Sequence, residues 1–214
     1  MNRRTALLLP LTAALAFTAR NTSAASGADA RHDEPRISDK LPDVKLRNHE
    51  GKEFLFYSDL VADRPVVISF MYVNCQGVCP ETTAKVAKVW EALEGKLGAE
   101  LNILSITLDP EADTPAALAD YAKENYPKNA AERKSHWHFL TGAKADVEAL
   151  RKALGFTDPD PAVDADRSQH AAILTFGNDA RDRWASLPTG VTEADLVKTI
   201  SRIARPRKAQ PELK

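Results

Sequence analysis

A run of apolar and β-branched residues at positions 66–73 is the feature that most constrains how this chain can fold. Continuous runs of this kind are typical of strands that are buried on both faces, as in parallel sheets. Cys75 and Cys79, the two cysteines of the chain, follow at once, and Pro80 comes next. Proline fits the first position of a helix, because the N–H that it lacks would have no partner there. The segment therefore predicts a central strand, a dithiol loop and a helix in direct succession.

The remaining pattern alternates strands and helices along the chain. Strands are predicted at residues 44–46, 54–56, 101–108, 138–140, 171–176 and 183–187. Helices are predicted at about 80–97, 114–124, 147–154 and 192–203, and a loop rich in Asp and Pro is predicted at 157–168. This order implies an α/β fold with a central, mostly parallel sheet, helices on both faces and a terminal antiparallel hairpin. Since the dithiol lies between the first central strand and its helix, we predict a thioredoxin-like fold.

The first thirty residues predict an export signal. Arg3 and Arg4 precede a mostly apolar stretch, and small residues with cleavage options after Ala25 or Ala30 follow it. The apolar stretch is shorter than the roughly 20 residues that span a bilayer comfortably, so an uncleaved membrane anchor is the alternative. The predicted organisation is a signal peptide at 1–30, a linker at 31–40, one domain at 41–206 and a polar tail at 207–214. We expect the protein to be exported to the periplasm, where it is soluble or anchored by its N-terminal segment.

The charge balance of the chain limits its classes of partner. The sequence has 29 basic and 30 acidic residues, which gives a formal net charge of −1. The chain has no basic excess that would favour binding to nucleic acid. It also has no second apolar span that would suggest a multipass membrane protein. We therefore expect proteins or small ions as partners.

The two cysteines can form a structural disulfide, exchange a disulfide with a partner, or bind a thiophilic metal ion. Two cysteines do not make a disulfide scaffold, and closing so short a loop stabilises a fold little. Three residues separate Cys75 from Cys79, whereas dedicated thioredoxin-like oxidoreductases have two. We also expect Cys79 to lie at a helix N-terminus, which favours the thiolate that both exchange and metal binding need. A chemical role is therefore favoured over a structural one.

His170 is the candidate third partner of the dithiol. Oxidoreductases of this fold place a proline just before the strand that faces the dithiol, but here the nearest upstream proline is Pro161. His170 takes that position. Two thiolates and one imidazole form a soft site suited to Cu(I), or to Cu(II) with an added ligand, whereas a structural zinc site would need a fourth protein ligand. The pattern predicts a copper ion bound by Cys75, Cys79 and His170.

Two other groups of residues are weaker candidates. His136 and His138 are two apart, so on a strand they share one face and could bind a metal, although a structural role explains them better. The acidic loop of Asp109, Glu111 and Asp113 follows a strand beside the dithiol. This loop is expected to form a rim of the site or a docking surface.

Four blocks of the sequence resemble the Sco/SenC copper proteins. The first is Phe-Met-Tyr-Val-Asn-Cys-Gln-Gly-Val-Cys-Pro at 70–80, and the second is the Asp-Pro loop at 105–115. The third is Trp-His-Phe-Leu-Thr-Gly at 137–142, and His170 falls where the copper-binding histidine of the family lies. The resemblance covers residues 41–205, although Gln169 and Ala171 flank His170 where the family commonly carries Asp and Ser or Thr.

The resemblance favours a metallochaperone and leaves thiol–disulfide oxidoreductase activity open. Sco/SenC proteins assemble the CuA centre of cytochrome c oxidase, so the CuA-bearing subunit, or a related copper enzyme, is the expected partner. An alternative is a thiol–disulfide reductase that keeps the cysteines of the CuA site reduced. In that case Cys75 and Cys79 are catalytic, and thioredoxin-like reductants are further candidate partners. A third option is a redox or copper sensor.

Overall fold

A seven-stranded sheet with helices on both faces forms the centre of the described structure. The computed structural model describes residues 36–166 and 172–206. The strands are β1 (Lys45–Asn48), β2 (Glu53–Leu55), β3 (Pro65–Met71), β4 (Asn102–Thr107), β5 (His136–Gly142), β6 (Ile173–Asn178) and β7 (Arg183–Pro188). The α-helices are α1 (Cys79–Leu97), α2 (Pro115–Asn125), α3 (Lys144–Ala153), α4 (Pro161–Ala165) and α5 (Glu193–Ile203).

The strands are ordered β2-β1-β5-β4-β3-β6-β7 across the sheet. Strands β3, β4 and β5 are parallel. Ser105 of β4 is in register with Ser69 of β3 on one side and with Phe139 of β5 on the other. Strands β1 and β6 join this parallel centre in the antiparallel sense, and β2 and β7 pair antiparallel at the two edges. The predicted α/β architecture is confirmed, but the parallel part is confined to the three central strands.

Strand β3 is buried along its whole length, as its apolar run predicts. Successive side chains of a strand point to opposite faces of the sheet. Val67 and Met71 accordingly pack in the core cluster that contains residues of α1 and α5. Ile68 and Phe70 pack in the cluster on the other face, with residues of α3. The strand that leads into the dithiol loop is therefore held from both sides.

Helix α1 follows the dithiol loop and packs on the first of these faces. Pro80 stands in its first turn, and Gly98 ends it with a φ of 81°. Val89 and Leu93 are fully buried on one side of the helix. Burying a side chain of this size stabilises the fold by about 1.5–3 kcal/mol. The predicted helix is confirmed.

Three local predictions differ from the structure. Phe56, expected to end a strand, begins a π-helical turn, Phe56–Val61. The predicted loop at 157–168 contains the short helix α4, whose first turn is capped by Asp160. Gly177, expected in the hairpin turn, lies within β6, and the turn is a 3-10 helix at Asp179–Arg181. A Cβ at Gly177 would lie 2.5 Å from the ring of Trp184, so close packing rather than a turn requires this glycine.

Residues 36–40, predicted as the end of a linker, contact the domain. Ile37–Lys40 forms a 3-10 turn, and the Arg36 guanidinium lies 2.9 Å from a carboxylate oxygen of Asp179. These contacts favour a domain start earlier than Leu41. The predicted signal peptide and polar tail lie outside the described residues. Within 36–166 and 172–206, no helix has the length and apolar character that crossing a membrane requires.

Candidate metal centre

The dithiol lies at the edge of the sheet where the parallel strands end. Cys75 is in the loop that follows β3, and Cys79 is the first residue of α1. No disulfide joins the two cysteines in the described structure, and Cys75 is 9% exposed and Cys79 1% exposed. A turn closed by the hydrogen bond from the Cys75 N–H to the Tyr72 carbonyl (3.2 Å) carries the first sulfur. Both cysteines are therefore buried, and Cys75 is the more exposed of the two.

Gly77 lies beside the Cys75 sulfur. Its φ is not among the positive values of the described chain, so the backbone itself does not demand glycine here. A Cβ at this position would lie 4.0 Å from the Cys75 Sγ, in ordinary van der Waals contact. An alanine Cβ would therefore fit beside the Cys75 sulfur without strain.

The electrostatics favour a thiolate at Cys75. Burial opposes the charge, but the Cys79 thiol and the backbone N–H groups of Gly77 and Cys79 donate hydrogen bonds to the Cys75 sulfur. The Tyr72 hydroxyl donates another. Hydrogen bonds to the charged form stabilise it, and together they outweigh burial and lower the pKa of Cys75.

The sequence predicts that the helix N-terminus favours a thiolate at Cys79, whereas burial and hydrogen bonding in the folded pair raise the pKa of Cys79 and lower the pKa of Cys75. Burial and the hydrogen bond that its thiol donates to Cys75 together raise the pKa of Cys79 to about 12. Burial and the hydrogen bond to Cys75 also raise the pKa of Tyr72 to about 12. Hydrogen bonds from Cys79 and Tyr72 thus favour the charged form of Cys75. The hydrogen bond between the sulfurs also means that they lie close enough to act together.

The acidic loop after β4 adjoins the dithiol loop. The Leu108 N–H bonds to the Met71 carbonyl at 2.7 Å, which continues the pairing of β3 with β4 beyond the strands. The Asp113 carboxylate accepts a hydrogen bond from the Val73 N–H at 3.0 Å. The predicted role of this loop as a rim of the site or a docking surface stays a prediction, and Asp113 of the loop is buried. The sequence pattern contains no signal for the contact with Val73.

The histidine pair on β5 lies at the other end of the sheet, where β5 begins. The rings of His136 and His138 are stacked with centroids 5.7 Å apart. The Asn48 Oδ1 accepts the N–H groups of Glu50 and Lys52, so the amide nitrogen of Asn48 faces the Nδ1 of His138 at 3.4 Å. No group of three or more potential ligands occurs among the described residues.

A model of the SCO1/SenC family matches residues 36–205. The chain belongs to the SCO1/SenC family. The SCO1 protein homolog of Bacillus subtilis is 32% identical over 104 residues, which are 48% of this chain and 50% of that protein. The chain spans about half the length, or less, of the curated relatives it matches. The resemblance that the sequence blocks indicate is thus confirmed.

Solved Sco structures share the fold of this chain. Copper-bound ScoI of Bradyrhizobium japonicum aligns with a TM-score of 0.57 at 23% identity, over 74% of this chain and 96% of that chain. BsSco, described with a disulfide switch and as a member of the Sco family of cytochrome c oxidase assembly proteins, aligns with a TM-score of 0.57 at 21% identity. That alignment covers 74% of this chain and 90% of BsSco. The predicted thioredoxin-like fold class is confirmed.

In this Sco protein the predicted third ligand, His170, lies outside the described residues. The neighbouring strand β6 is described from Ile173 onward, and it runs antiparallel to β3. Its first residues therefore lie at the end of the sheet where β3 finishes and the dithiol loop begins. The assignment of His170 as a ligand stays a prediction.

Proposed function

We propose that this chain is an exported copper metallochaperone that binds Cu(I) through Cys75, Cys79 and His170. The observation that carries the proposal is the pair of unlinked sulfurs in mutual hydrogen-bond contact at the edge of the sheet. Paired thiolates are soft ligands, and they favour Cu(I) over hard cations. Membership of the SCO1/SenC family, and the copper bound in the related ScoI, support the same choice of metal. Copper is the cargo in this proposal.

The position of Cys75 suits transfer of the ion to a partner. A site of two sulfurs and one imidazole has room for an incoming fourth ligand. Cys75 is the more exposed of the two cysteines, so a thiolate of the partner approaches from its side. The ion then passes by stepwise ligand exchange. We propose the CuA-bearing subunit of a respiratory oxidase, or a related copper enzyme, as the recipient, and the periplasm as the compartment.

The same geometry supports a second function, the reduction of a partner disulfide. The Cys75 thiolate would attack one sulfur of that disulfide and release the other as a thiolate. Cys79 would then displace the partner from the mixed disulfide, so the partner gains two electrons and the pair becomes a Cys75–Cys79 disulfide. The contact between the two sulfurs favours this option. Because copper binding needs the thiolates, the same disulfide would switch copper binding off, as a copper or redox sensor would also require.

Anaerobic Cu(I) titration of the reduced protein against a competing chelator tests the proposal. The wild type is expected to bind one equivalent, and Cys75→Ser and His170→Ala are each expected to weaken binding. The reductase alternative predicts instead that His170→Ala still reduces a partner disulfide, while either cysteine variant does not turn over. Failure of the wild type to bind copper, or undiminished binding by His170→Ala, would contradict the three-ligand chaperone.

A further inference from the structure

We infer that Asp113 is a positioning residue for the dithiol, since its buried carboxylate holds the turn that carries Cys75. The inference rests on the proposed function, because it concerns the geometry of the same two sulfurs. Asp113 itself is 2% exposed and follows β4, whereas the dithiol loop follows β3. Its role would be to connect these two loops on their buried side.

The contacts of Asp113 reach both loops. Its Oδ2 accepts hydrogen bonds from the Val73 N–H at 3.0 Å and from the Thr107 hydroxyl at 2.5 Å. Thr107, the buried last residue of β4, also accepts the Asp109 N–H at 2.8 Å. The Asp113 N–H in turn bonds to the Asp109 carbonyl at 2.8 Å. Asp113 is therefore fixed within its own loop before it reaches across to Val73.

Val73 is the point at which this contact controls the dithiol. The turn that presents Cys75 is closed by the hydrogen bond from the Cys75 N–H to the Tyr72 carbonyl, and Val73 lies between these two residues. Strand β3 ends at Met71, so the ladder of the sheet does not hold the Val73 N–H. Asp113 supplies the acceptor instead. Without it, the peptide that precedes Asn74 could rotate and shift the Cys75 sulfur relative to Cys79.

A carboxyl group at this buried position needs favourable interactions that offset the cost of its burial. Burying an ionised group costs several kcal/mol unless hydrogen bonds replace its water. A small apolar residue would fill the space between the loops without that cost. A buried carboxyl group that accepts a backbone N–H two residues before a cysteine is explained if the turn must be held in one geometry. Residues behind the ligands of a metal site commonly have this role.

The test compares Asp113→Ala with Asp113→Asn, and with Asn102→Ala as a matched control. Asparagine keeps an oxygen that accepts the Val73 N–H, whereas alanine removes it. Asn102 is buried at the opposite end of β4 and bonds to the Leu60 carbonyl at 2.9 Å, so its loss destabilises the fold away from the dithiol. Cu(I) affinity is measured by chelator competition, and the Cys75–Cys79 disulfide is equilibrated against glutathione.

We expect Asp113→Ala to weaken Cu(I) binding by about 10- to 100-fold, which is the usual effect of losing a residue that orients metal ligands. We also expect it to shift the equilibrium of the Cys75–Cys79 disulfide with glutathione. Asp113→Asn should restore most of both properties, and Asn102→Ala should change stability alone. Equal behaviour of Asp113→Ala and Asn102→Ala would overturn the inference, as would an equal loss in Asp113→Asn. Should Asp113→Ala not fold, Asp113→Ser replaces it, because its hydroxyl is too short to reach Val73.

The two readouts separate this inference from the proposed function. If the wild type does not bind copper, the chaperone proposal fails, but the glutathione equilibrium still compares the dithiol of the variants. An altered equilibrium in Asp113→Ala alone would then support the positioning role. An unaltered one would reject it.

Discussion

At the scale of single residues, the two cysteines of the site are unequal. Cys75 is the more exposed, and its sulfur receives the hydrogen bonds of Tyr72, Gly77 and Cys79. Cys79 is almost fully buried, and burial together with its bond to Cys75 raises its pKa. A thiolate is the reactive form of cysteine. Chemistry at this site should therefore begin at Cys75.

This inequality predicts the order of alkylation. Brief treatment of the reduced, metal-free protein with iodoacetamide near neutral pH should label Cys75 first, with Cys79 slower by about tenfold or more, since reactivity follows thiolate content and access. Peptide mass spectrometry of samples quenched over time measures both rates. Cys75→Ser provides the control, since Cys79 should stay slow because burial alone already protects it. Preferential labelling of Cys79 would contradict the assignment.

The residue scale is also where sequence reasoning fell short. The apolar run before the dithiol and Pro80 after it are local signals, and they predicted β3 and α1 correctly. Which cysteine holds the thiolate depends on burial and on partners that only the folded loop brings together. The contact from Asp113 to Val73 joins residues forty positions apart. Periodicity and spacing contain no information on such contacts.

At the scale of elements, capping residues made the helix starts predictable. Thr114 and Thr192 each accept a backbone N–H of the helix that follows, as their sequence positions indicate. The short helix α4 was missed, because five residues contain too little periodicity to reveal a helix. It is held by a tertiary contact, in which Arg151 of α3 binds both carboxylate oxygens of Asp164 at 2.6 and 2.7 Å. The same guanidinium also bonds to the Phe156 carbonyl.

This contact predicts that Arg151 controls the local stability of α4. Arg151→Gln should speed hydrogen exchange in peptides covering 157–166 by about 5- to 30-fold, the factor that 1–2 kcal/mol represents. The thermal midpoint should fall little, because the core clusters are untouched. Lys123→Ala is the control, since its ion pair with Asp120 is exposed on both sides and contributes little. Unchanged exchange in Arg151→Gln would show that α4 is held by other contacts.

At the scale of the whole molecule, the two ends of the sheet have different roles. The dithiol loop lies where β3 finishes, and the contact of Arg36 lies where β3 begins, since β3 pairs Pro65 with Asn178 next to Asp179. The Asp179 side chain is 3% exposed and also receives the N–H of Asp63 at 3.2 Å. The residues that lead into the domain are therefore joined to it far from the site. Their removal should affect stability without affecting the dithiol.

The last prediction locates the start of the domain by this contact. A chain that begins at Pro35 should be more stable than one that begins at Leu41 by about 1–3 kcal/mol, because the shorter chain leaves the buried Asp179 carboxylate without its cation. Arg36→Gln in the longer chain should reproduce most of the loss. Urea denaturation measures all three proteins, and the rate of Cys75 alkylation should be the same in each. Equal stabilities of the two chains would place the start of the domain at Leu41. A changed alkylation rate would mean that the two ends of the sheet are coupled.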